Sequence, residues 1–117
     1  MTTRTLLARD PALLTEAQWS SLVLELARLG GWTLRYHTWI SKRSSFGFPD
    51  WVLCKPPRLI FAELKSEVGK TTDDQEAWLA GLREVEAATN GLVQAYVWRP
   101  SDYPEVAELL TGRRLAT

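Results

Sequence analysis

The chain has 117 residues, enough for one hydrophobic core, and residues 1–117 are therefore predicted to form a single domain. Its 45% hydrophobic and 24% charged residues are typical of a globular protein, and no apolar run approaches the roughly 20 residues of a membrane span. The single cysteine, Cys54, excludes a disulfide framework and a thiolate zinc cluster, so a cytoplasmic protein without membrane contact is expected.

The net charge of zero conceals an uneven distribution along the chain. Residues 28–70 contain eight Lys and Arg against three acids, whereas residues 71–98 contain one Arg against five acids. Overall neutrality disfavours nucleic acid as a partner. An ordinary mixed surface would account for the charges, yet the few acids of the basic segment need an explanation of their own.

The first predicted elements are a helix and a strand. Residues 1–14 lack clear periodicity and are predicted to form a loose arm. Thr15 then begins a capping box, and apolar residues at helical spacing continue until the glycines at 30–31. Alternation over residues 32–38 predicts a strand, and a basic, aromatic loop follows over residues 39–49.

A hairpin and a crossover are predicted next. Residues 50–54 and 59–66 predict two strands joined by a turn. A second capping box predicts a helix over residues 72–89, and a strand over residues 92–98 and a last helix over residues 102–112 follow. The apolar stripe of the helix before the last strand consists of Trp78, Leu82 and Val85.

The predicted order of elements is α-β-β-β-α-β-α. Strand, helix and strand over residues 59–98 form a crossover unit, so these two strands should be parallel and the crossover right-handed. The earlier strands are joined without a helix and should be antiparallel. The predicted fold is α/β, a small mixed β-sheet flanked by helices on both faces.

Two opposite charges interrupt the apolar strand 59–66. Because alternate residues of a strand share a face, Glu63 and Lys65 point the same way. Hairpin pairing can bring Asp50 beside them, and burying such charges without compensation is costly. The strand therefore either faces water or holds a compensating ligand. The structural alternatives are a solvated face of an edge strand and, for Asp50, a turn cap after Pro49.

Converging carboxylates and an ammonium group suit a divalent-cation site. Hard oxygen ligands favour Mg²⁺ or Mn²⁺, and few carboxylates are needed when water and phosphate oxygens complete the shell. A cation at Asp50 and Glu63 can activate a water, and Lys65 can hold that water or offset phosphate charge. With one histidine and one cysteine, the chain has little material for a Ser-His-Asp or Cys-His mechanism.

The residues of this predicted site follow a recognisable spacing. P-D, twelve residues and E-x-K resembles the signature of the PD-(D/E)XK nucleases. The segments G-x-P-D-W-V-L, F-A-E-L-K-S-E and V-W-R-P, with Gln75 opening the intervening helix, resemble the VRR-NUC branch over roughly residues 15–110. The resemblance implies a restriction-endonuclease-like fold and a metal-dependent endodeoxyribonuclease, a phosphodiester hydrolase.

The resemblance assigns roles to five residues. Asp50 and Glu63 match the acidic metal ligands, and Lys65 matches the catalytic lysine. Leu64 matches a position whose backbone carbonyl serves as an extra metal ligand. Gln75 matches a glutamine that supports the site or the DNA, although its capping box explains it equally well.

An acid on the first helix is also typical of the family and would be a further metal ligand. Glu16 is the best match because it borders the apolar stripe, whereas Glu25 points away from the stripe and is the fallback. The helix macrodipole favours Glu16 in the first turn whatever the function is. The choice between the two acids therefore stays open.

Five residues are predicted to bind DNA. The loop before the predicted site carries Lys42, Arg43 and Ser45, which can contact backbone phosphates or can simply be solvated. His37, on the polar face of the first strand, and Arg99, at the end of the last strand, are further candidates. A structural role is the alternative for each of these two residues.

The predicted function is a divalent-metal-dependent DNA endonuclease. The chain is nearly all catalytic core and so resembles compact junction-resolving enzymes, which predicts branched DNA such as a Holliday junction as substrate and a homodimer as the assembly. This form suits a phage protein in the cytoplasm of a host cell. The alternative is a non-catalytic DNA-binding or assembly module with a nuclease fold. A sequence-specific restriction enzyme is disfavoured because no recognition insertion is evident.

Overall fold

The computed structural model describes residues 2–38 and 46–113. None of the helices in these residues is long and apolar enough to cross a membrane. The predicted element order is confirmed from the second helix onward. In chain order the elements are α1 (Thr3–Leu7), a 3-10 helix (Pro11–Leu13), α2 (Glu16–Leu29), β1 (Leu34–His37), β2 (Trp51–Lys55), β3 (Arg58–Leu64), α3 (Asp73–Ala88), β4 (Val93–Trp98), a second 3-10 helix (Pro100–Asp102) and α4 (Tyr103–Thr111).

The chain divides into two compact units. The first comprises Met1–Trp32, Leu64–Gly69 and Trp98–Thr117, and the second comprises Thr33–Glu63 and Lys70–Val97. Helices α1, α2 and α4 therefore belong to the first unit. Strands β1 and β2, helix α3 and all but the last residue of β3 and β4 belong to the second. A single domain over the whole chain stays a prediction.

Helix α2 is the centre of the first unit. Thr15 and Gln18 form the predicted capping box, in which the Gln18 N–H donates to Thr15 Oγ1 and the Thr15 N–H donates to Gln18 Oε1, both at 3.1 Å. The helix packs on α4 and ends at Gly30, as its apolar period predicts. Its buried residues are Trp19, Leu22, Val23, Leu26 and Ala27.

Two buried tryptophans link distant segments of the first unit. Trp19 Nε1 donates to the Trp98 carbonyl at 2.9 Å, and Trp32 Nε1 donates to the Leu110 carbonyl at 2.8 Å. A Cβ at Gly30 would lie only 1.8 Å from the Leu110 carbonyl oxygen, so the close approach of α4 requires glycine there. Both indoles are therefore buried with their only donor satisfied.

Residues 2–14 contain two short helices where a loose arm is predicted from the sequence. Thr2 caps α1 through a hydrogen bond from the Thr5 N–H, and Asp10 caps the 3-10 helix through the Ala12 N–H. Leu6 and Leu14 are buried. Elements of three to five residues are too short to display a period, so only their tertiary burial reveals them.

The sheet of the second unit has the strand order β1-β2-β3-β4. Strand β2 pairs antiparallel with both β1 and β3. The Leu59 N–H donates to the Leu92 carbonyl at 2.9 Å and the Lys65 N–H donates to the Trp98 carbonyl at 3.0 Å. Residue numbers rise together along β3 and β4, so this pair is parallel, and the predicted mixed α/β sheet is confirmed.

Helix α3 has the predicted ends but not the predicted buried stripe. Leu79 is its buried residue, whereas Trp78 and Val85 are 36% and 43% exposed. The Trp78 ring makes an edge contact with Phe48, at 4.9 Å between centroids, so the turn before β2 covers one side of it. The spacing of apolar residues identifies a helix, but the segments that pack against the helix decide which of those residues are buried.

Candidate active site

The hairpin register ends one residue short of Asp50 and Glu63. Trp51 of β2 pairs with Ala62 of β3. One step beyond Trp51 is Asp50, and one step beyond Ala62 is Glu63, so the same register extended by one step would set these two acids opposite each other. Residues directly opposite in an antiparallel pair share a face, with Cβ atoms about 4.5–5.5 Å apart. On this extension both carboxylates would point to one face of the sheet.

Strand β1 fixes the backbone of Asp50 from the other side. The Thr38 N–H donates to the Asp50 carbonyl at 2.8 Å, which continues the β1–β2 ladder by one step. The Thr38 hydroxyl donates to the Pro49 carbonyl, also at 2.8 Å. Both hydrogen bonds use backbone oxygens, so they hold the position of Asp50 without engaging its carboxylate.

The turn before Asp50 packs against the start of α3. Gly47 has φ +80, and a Cβ there would lie 2.3 Å from the Asp74 carbonyl carbon and 2.5 Å from the Gln75 nitrogen. Backbone thus touches backbone at this point, in a conformation that L side chains rarely adopt. Phe48 follows and makes an edge contact with Phe61, at 6.1 Å between centroids. Gly47 therefore has a structural reason to be glycine.

Glu63 is a buried carboxylate held by α3. Its side chain is 2% exposed, and Oε1 accepts a hydrogen bond of 2.8 Å from Gln75 Nε2. Its Oε2 is also buried and receives no hydrogen bond within the described residues. Burial of a carboxylate is costly unless positive charge or donors compensate it, and Gln75 Nε2 is one such donor.

Gln75 performs two tasks with the two ends of its amide. Oε1 accepts from the Thr72 N–H at 2.9 Å and completes the capping box of α3, while Nε2 donates to Glu63. The box itself is compatible with Glu or Gln at this position. Only the amide can also donate to a carboxylate, so the contact to Glu63 explains why glutamine is present.

Leu64 and Lys65 belong to the first unit. Leu64 is the last residue of β3, and its side chain is 2% exposed. The Lys65 N–H donates to the Trp98 carbonyl, which fixes the backbone where the lysine side chain begins. The roles of the Leu64 carbonyl as a metal ligand and of the Lys65 ammonium in catalysis stay predictions.

The two candidate acids of α2 have different surroundings. Glu25 accepts a hydrogen bond from the Thr3 hydroxyl of α1. Glu16 Oε1 lies 3.6 Å from the position of a Cβ built on Gly69, in the loop that follows Lys65. Glu25 thus has a structural role in holding α1, and a role for Glu16 as a metal ligand stays a prediction.

Arg99 turns its guanidinium towards the protein backbone. Nη1 donates to the carbonyls of Ser66 at 2.7 Å and of Gly69 at 2.6 Å, with a longer contact of 3.4 Å to that of Glu67. Phosphate contact by Arg99 would have to use its other nitrogens. The structural alternative for Arg99 is therefore supported.

His37 lies on the other face of the sheet from Asp50. It pairs with Trp51 in the ladder and stacks on that ring, at 4.6 Å between centroids and 18° between planes. Since neighbours along a strand point to opposite faces, His37 and Asp50 point to opposite sides. The predicted DNA-binding residues Lys42, Arg43 and Ser45 lie outside the described residues.

The donor set fits a hard divalent cation, which the resemblance implies. Asp50 and Glu63 offer carboxylate oxygens on one face, and Mg²⁺ is commonly bound by one or two carboxylates with water and phosphate completing the shell. No group of three or more His, Cys, Asp or Glu suited to a metal exists among residues 2–38 and 46–113.

Some supporting residues were not predicted from the sequence. Thr38 was expected only as the end of a strand, and Phe48 only as part of a loop. The carbonyl contacts of Arg99 were also unforeseen. All three act through contacts distant in sequence, and no local spacing signals them.

Comparison with known proteins adds no assignment. No protein-family model, no curated protein and no solved structure matches the chain. The case for a function therefore rests on the residues and their geometry.

Proposed function

We propose that this protein is a divalent-metal-dependent DNA endonuclease with a restriction-endonuclease-like fold of the VRR-NUC type. The observation that carries the proposal is the hairpin register, whose extension by one step beyond the Trp51–Ala62 pair would set Asp50 opposite Glu63 on one face of the sheet. The hydrogen bond from Gln75 to Glu63 supports it, since it fixes a carboxylate in a buried place that suits a cation ligand.

Asp50 and Glu63 would hold Mg²⁺ or Mn²⁺, with the Leu64 carbonyl and Glu16 as further ligands. When bound, such a cation would polarise a water and stabilise negative charge on the scissile phosphate. Lys65, two residues after Glu63, would orient that water or offset phosphate charge. The water oxygen would form a bond to phosphorus as the water gives up a proton, the bond from phosphorus to one ester oxygen would break, and the displaced oxygen would take up a proton.

The proposed substrate is branched DNA such as a Holliday junction. A catalytic core of this size offers a small footprint on duplex DNA, and a homodimer would place two sites on two strands. Two-fold symmetry is the usual way to build such a pair. The compact form also suits a phage protein that acts in the host cytoplasm.

The test is a cleavage assay on end-labelled junction, flap, single-stranded and linear duplex DNA. Cleavage with Mg²⁺ or Mn²⁺ that disappears with EDTA is expected, with the junction cut fastest. Asp50→Ala should be inactive under the same conditions. Binding of junction DNA without cleavage by any metal-loaded sample would overturn the proposal and leave the non-catalytic module.

A further inference from the structure

We infer that Arg99 is a positioning residue for Lys65, acting through the loop of residues 66–69, and that it is not a phosphate contact. The inference rests on the proposed function for its catalytic part. Its structural part rests on hydrogen bonds within the first unit alone.

The guanidinium of Arg99 donates hydrogen bonds to backbone carbonyls of the 66–69 loop. Nη1 lies 2.7 Å from the Ser66 oxygen and 2.6 Å from the Gly69 oxygen. Both are short for N–H···O bonds, as expected when the donor is charged. Nη1 carries two hydrogens, so these two carbonyls occupy both of its donors. One side chain thereby closes the loop upon itself.

The backbone around Arg99 holds the start of the same segment. The carbonyl of the preceding residue, Trp98, accepts from the Lys65 N–H at 3.0 Å. The Arg99 N–H donates to Asp102 Oδ2 at 2.8 Å, which anchors the arginine to the second 3-10 helix. Lys65 is therefore bounded by Trp98 on one side and by the loop that Arg99 closes on the other.

Two more contacts tighten the loop. The Ser101 N–H donates to Glu67 Oε1 at 3.1 Å, and the Gly69 N–H donates to Ser66 Oγ, also at 3.1 Å. None of these bonds involves the Lys65 ammonium. They define the backbone from which that side chain projects, and a shift of about 1 Å in a catalytic group can cost on the order of 100-fold in rate.

Arginine suits this task better than lysine. Its planar fork presents several donors in fixed directions, whereas an ammonium is a compact point charge on a flexible stem. Arg99→Lys should therefore keep the charge but not the pattern of two short bonds. Arg99→Met removes both and keeps much of the apolar stem.

The experiment compares wild type, Arg99→Met and Arg99→Lys by single-turnover cleavage of junction DNA, junction binding without divalent metal, and amide hydrogen exchange. Arg58→Met is the matched control, because Arg58 Nη2 donates to Gln94 at 2.9 Å at the opposite end of β3. Binding is measured from about 50 to about 200 mM salt, so that the slope of log K against log salt reports phosphate contacts.

Arg99→Met should lower the cleavage rate about 10- to 100-fold while the affinity for DNA and its salt slope stay as in wild type. The amides of residues 66–69 should exchange faster. Arg99→Lys should lie between wild type and Arg99→Met, and Arg58→Met should leave both readouts near wild type.

A salt slope smaller by about 1 in Arg99→Met would identify a phosphate contact and overturn the inference. Unchanged exchange in the loop, or faster exchange with an unchanged cleavage rate, would overturn it too. If wild type cleaves no DNA, the proposed function fails and the catalytic part of the inference with it. The hydrogen-exchange data would then still show whether Arg99 holds the loop of residues 66–69, independently of the failed nuclease proposal.

Discussion

The carboxylate of Glu63 and the loop of residues 66–69 are held by different kinds of contact. At Glu63 a side-chain amide of α3 acts directly on the carboxylate, so the supporting residue changes the electrostatics of the group. At residues 66–69 the guanidinium of Arg99 acts only on backbone carbonyls, so it sets a shape. Substitutions in the first region should therefore alter metal affinity, whereas those in the second should alter the catalytic rate.

The strongest test of this contrast removes the acids themselves. Asp50→Ala and Glu63→Ala should abolish metal-dependent cleavage, because each removes one of two carboxylates that share a face. Calorimetric titration with Mn²⁺ should show an affinity loss greater than the roughly 10- to 100-fold typical of outer-shell changes. The melting temperature of wild type should rise with Mn²⁺, and that of either variant should not.

The control is Glu84→Gln, which removes an exposed acid from α3. It should titrate and melt as wild type does. Unchanged Mn²⁺ affinity in both alanine variants would place the metal elsewhere. It would contradict the expectation that substitutions around the two acids alter metal affinity.

The second test displaces the turn that carries Asp50. Gly47→Ala should destabilise the fold by about 2–4 kcal/mol, because it combines a positive φ with overlap onto the backbone of α3. Gly112→Ala is the matched control, since Gly112 also has a positive φ but a Cβ there would meet nothing within 4 Å. It should cost only about 1–2 kcal/mol.

Urea denaturation measures both glycine variants. If they lose equal stability, the contact between Gly47 and α3 does not restrain the turn. If Gly47→Ala retains wild-type Mn²⁺ affinity in the fraction that stays folded, the turn does not position Asp50.

Local patterns predicted much of this architecture from the sequence. The capping boxes at Thr15 and Thr72 needed only residues three positions apart, and both formed as expected. The antiparallel pairing of β2 with β3 followed from the short hairpin, since a turn of fixed length sets the register. The roles of Asp50 and Glu63 stay predictions.

Contacts between segments distant in sequence could not be predicted from local patterns. Arg99 looked like a phosphate ligand because its position after a strand is compatible with either role, and only the carbonyls of residues 66–69 decide between them. His37 looked like a candidate for DNA binding on the polar face of the first strand, whereas its ring stacks on Trp51. In both cases the residue type suggested a phosphate contact, but the sequence could not show where the side chain points.

The third test separates the two tasks of Gln75. Gln75→Glu keeps an oxygen for the Thr72 N–H but replaces the donor to Glu63 by a second carboxylate, so like charges meet. Mn²⁺ affinity should change by about 10- to 100-fold, as is usual for residues that orient a metal ligand. Helix stability should change little, because the capping box accepts glutamate.

Thr72→Ala is the complementary variant. It removes the hydroxyl that accepts from the Gln75 N–H and should cost about 1 kcal/mol of stability, with metal affinity close to wild type. Should both variants change stability and affinity together, the cap and the contact to Glu63 would be one coupled unit and not two separable functions.

The smallest expected effect distinguishes the two acids of α2. Glu16→Gln should lower metal-dependent cleavage by about tenfold or less, because a third ligand can be replaced by water around a hard cation. Glu25→Gln should leave cleavage unchanged and mainly weaken the attachment of α1, since Glu25 accepts from Thr3. Limited proteolysis near α1 measures the second effect, and initial cleavage rates measure the first. A loss of cleavage in Glu25→Gln with none in Glu16→Gln would reverse the assignment.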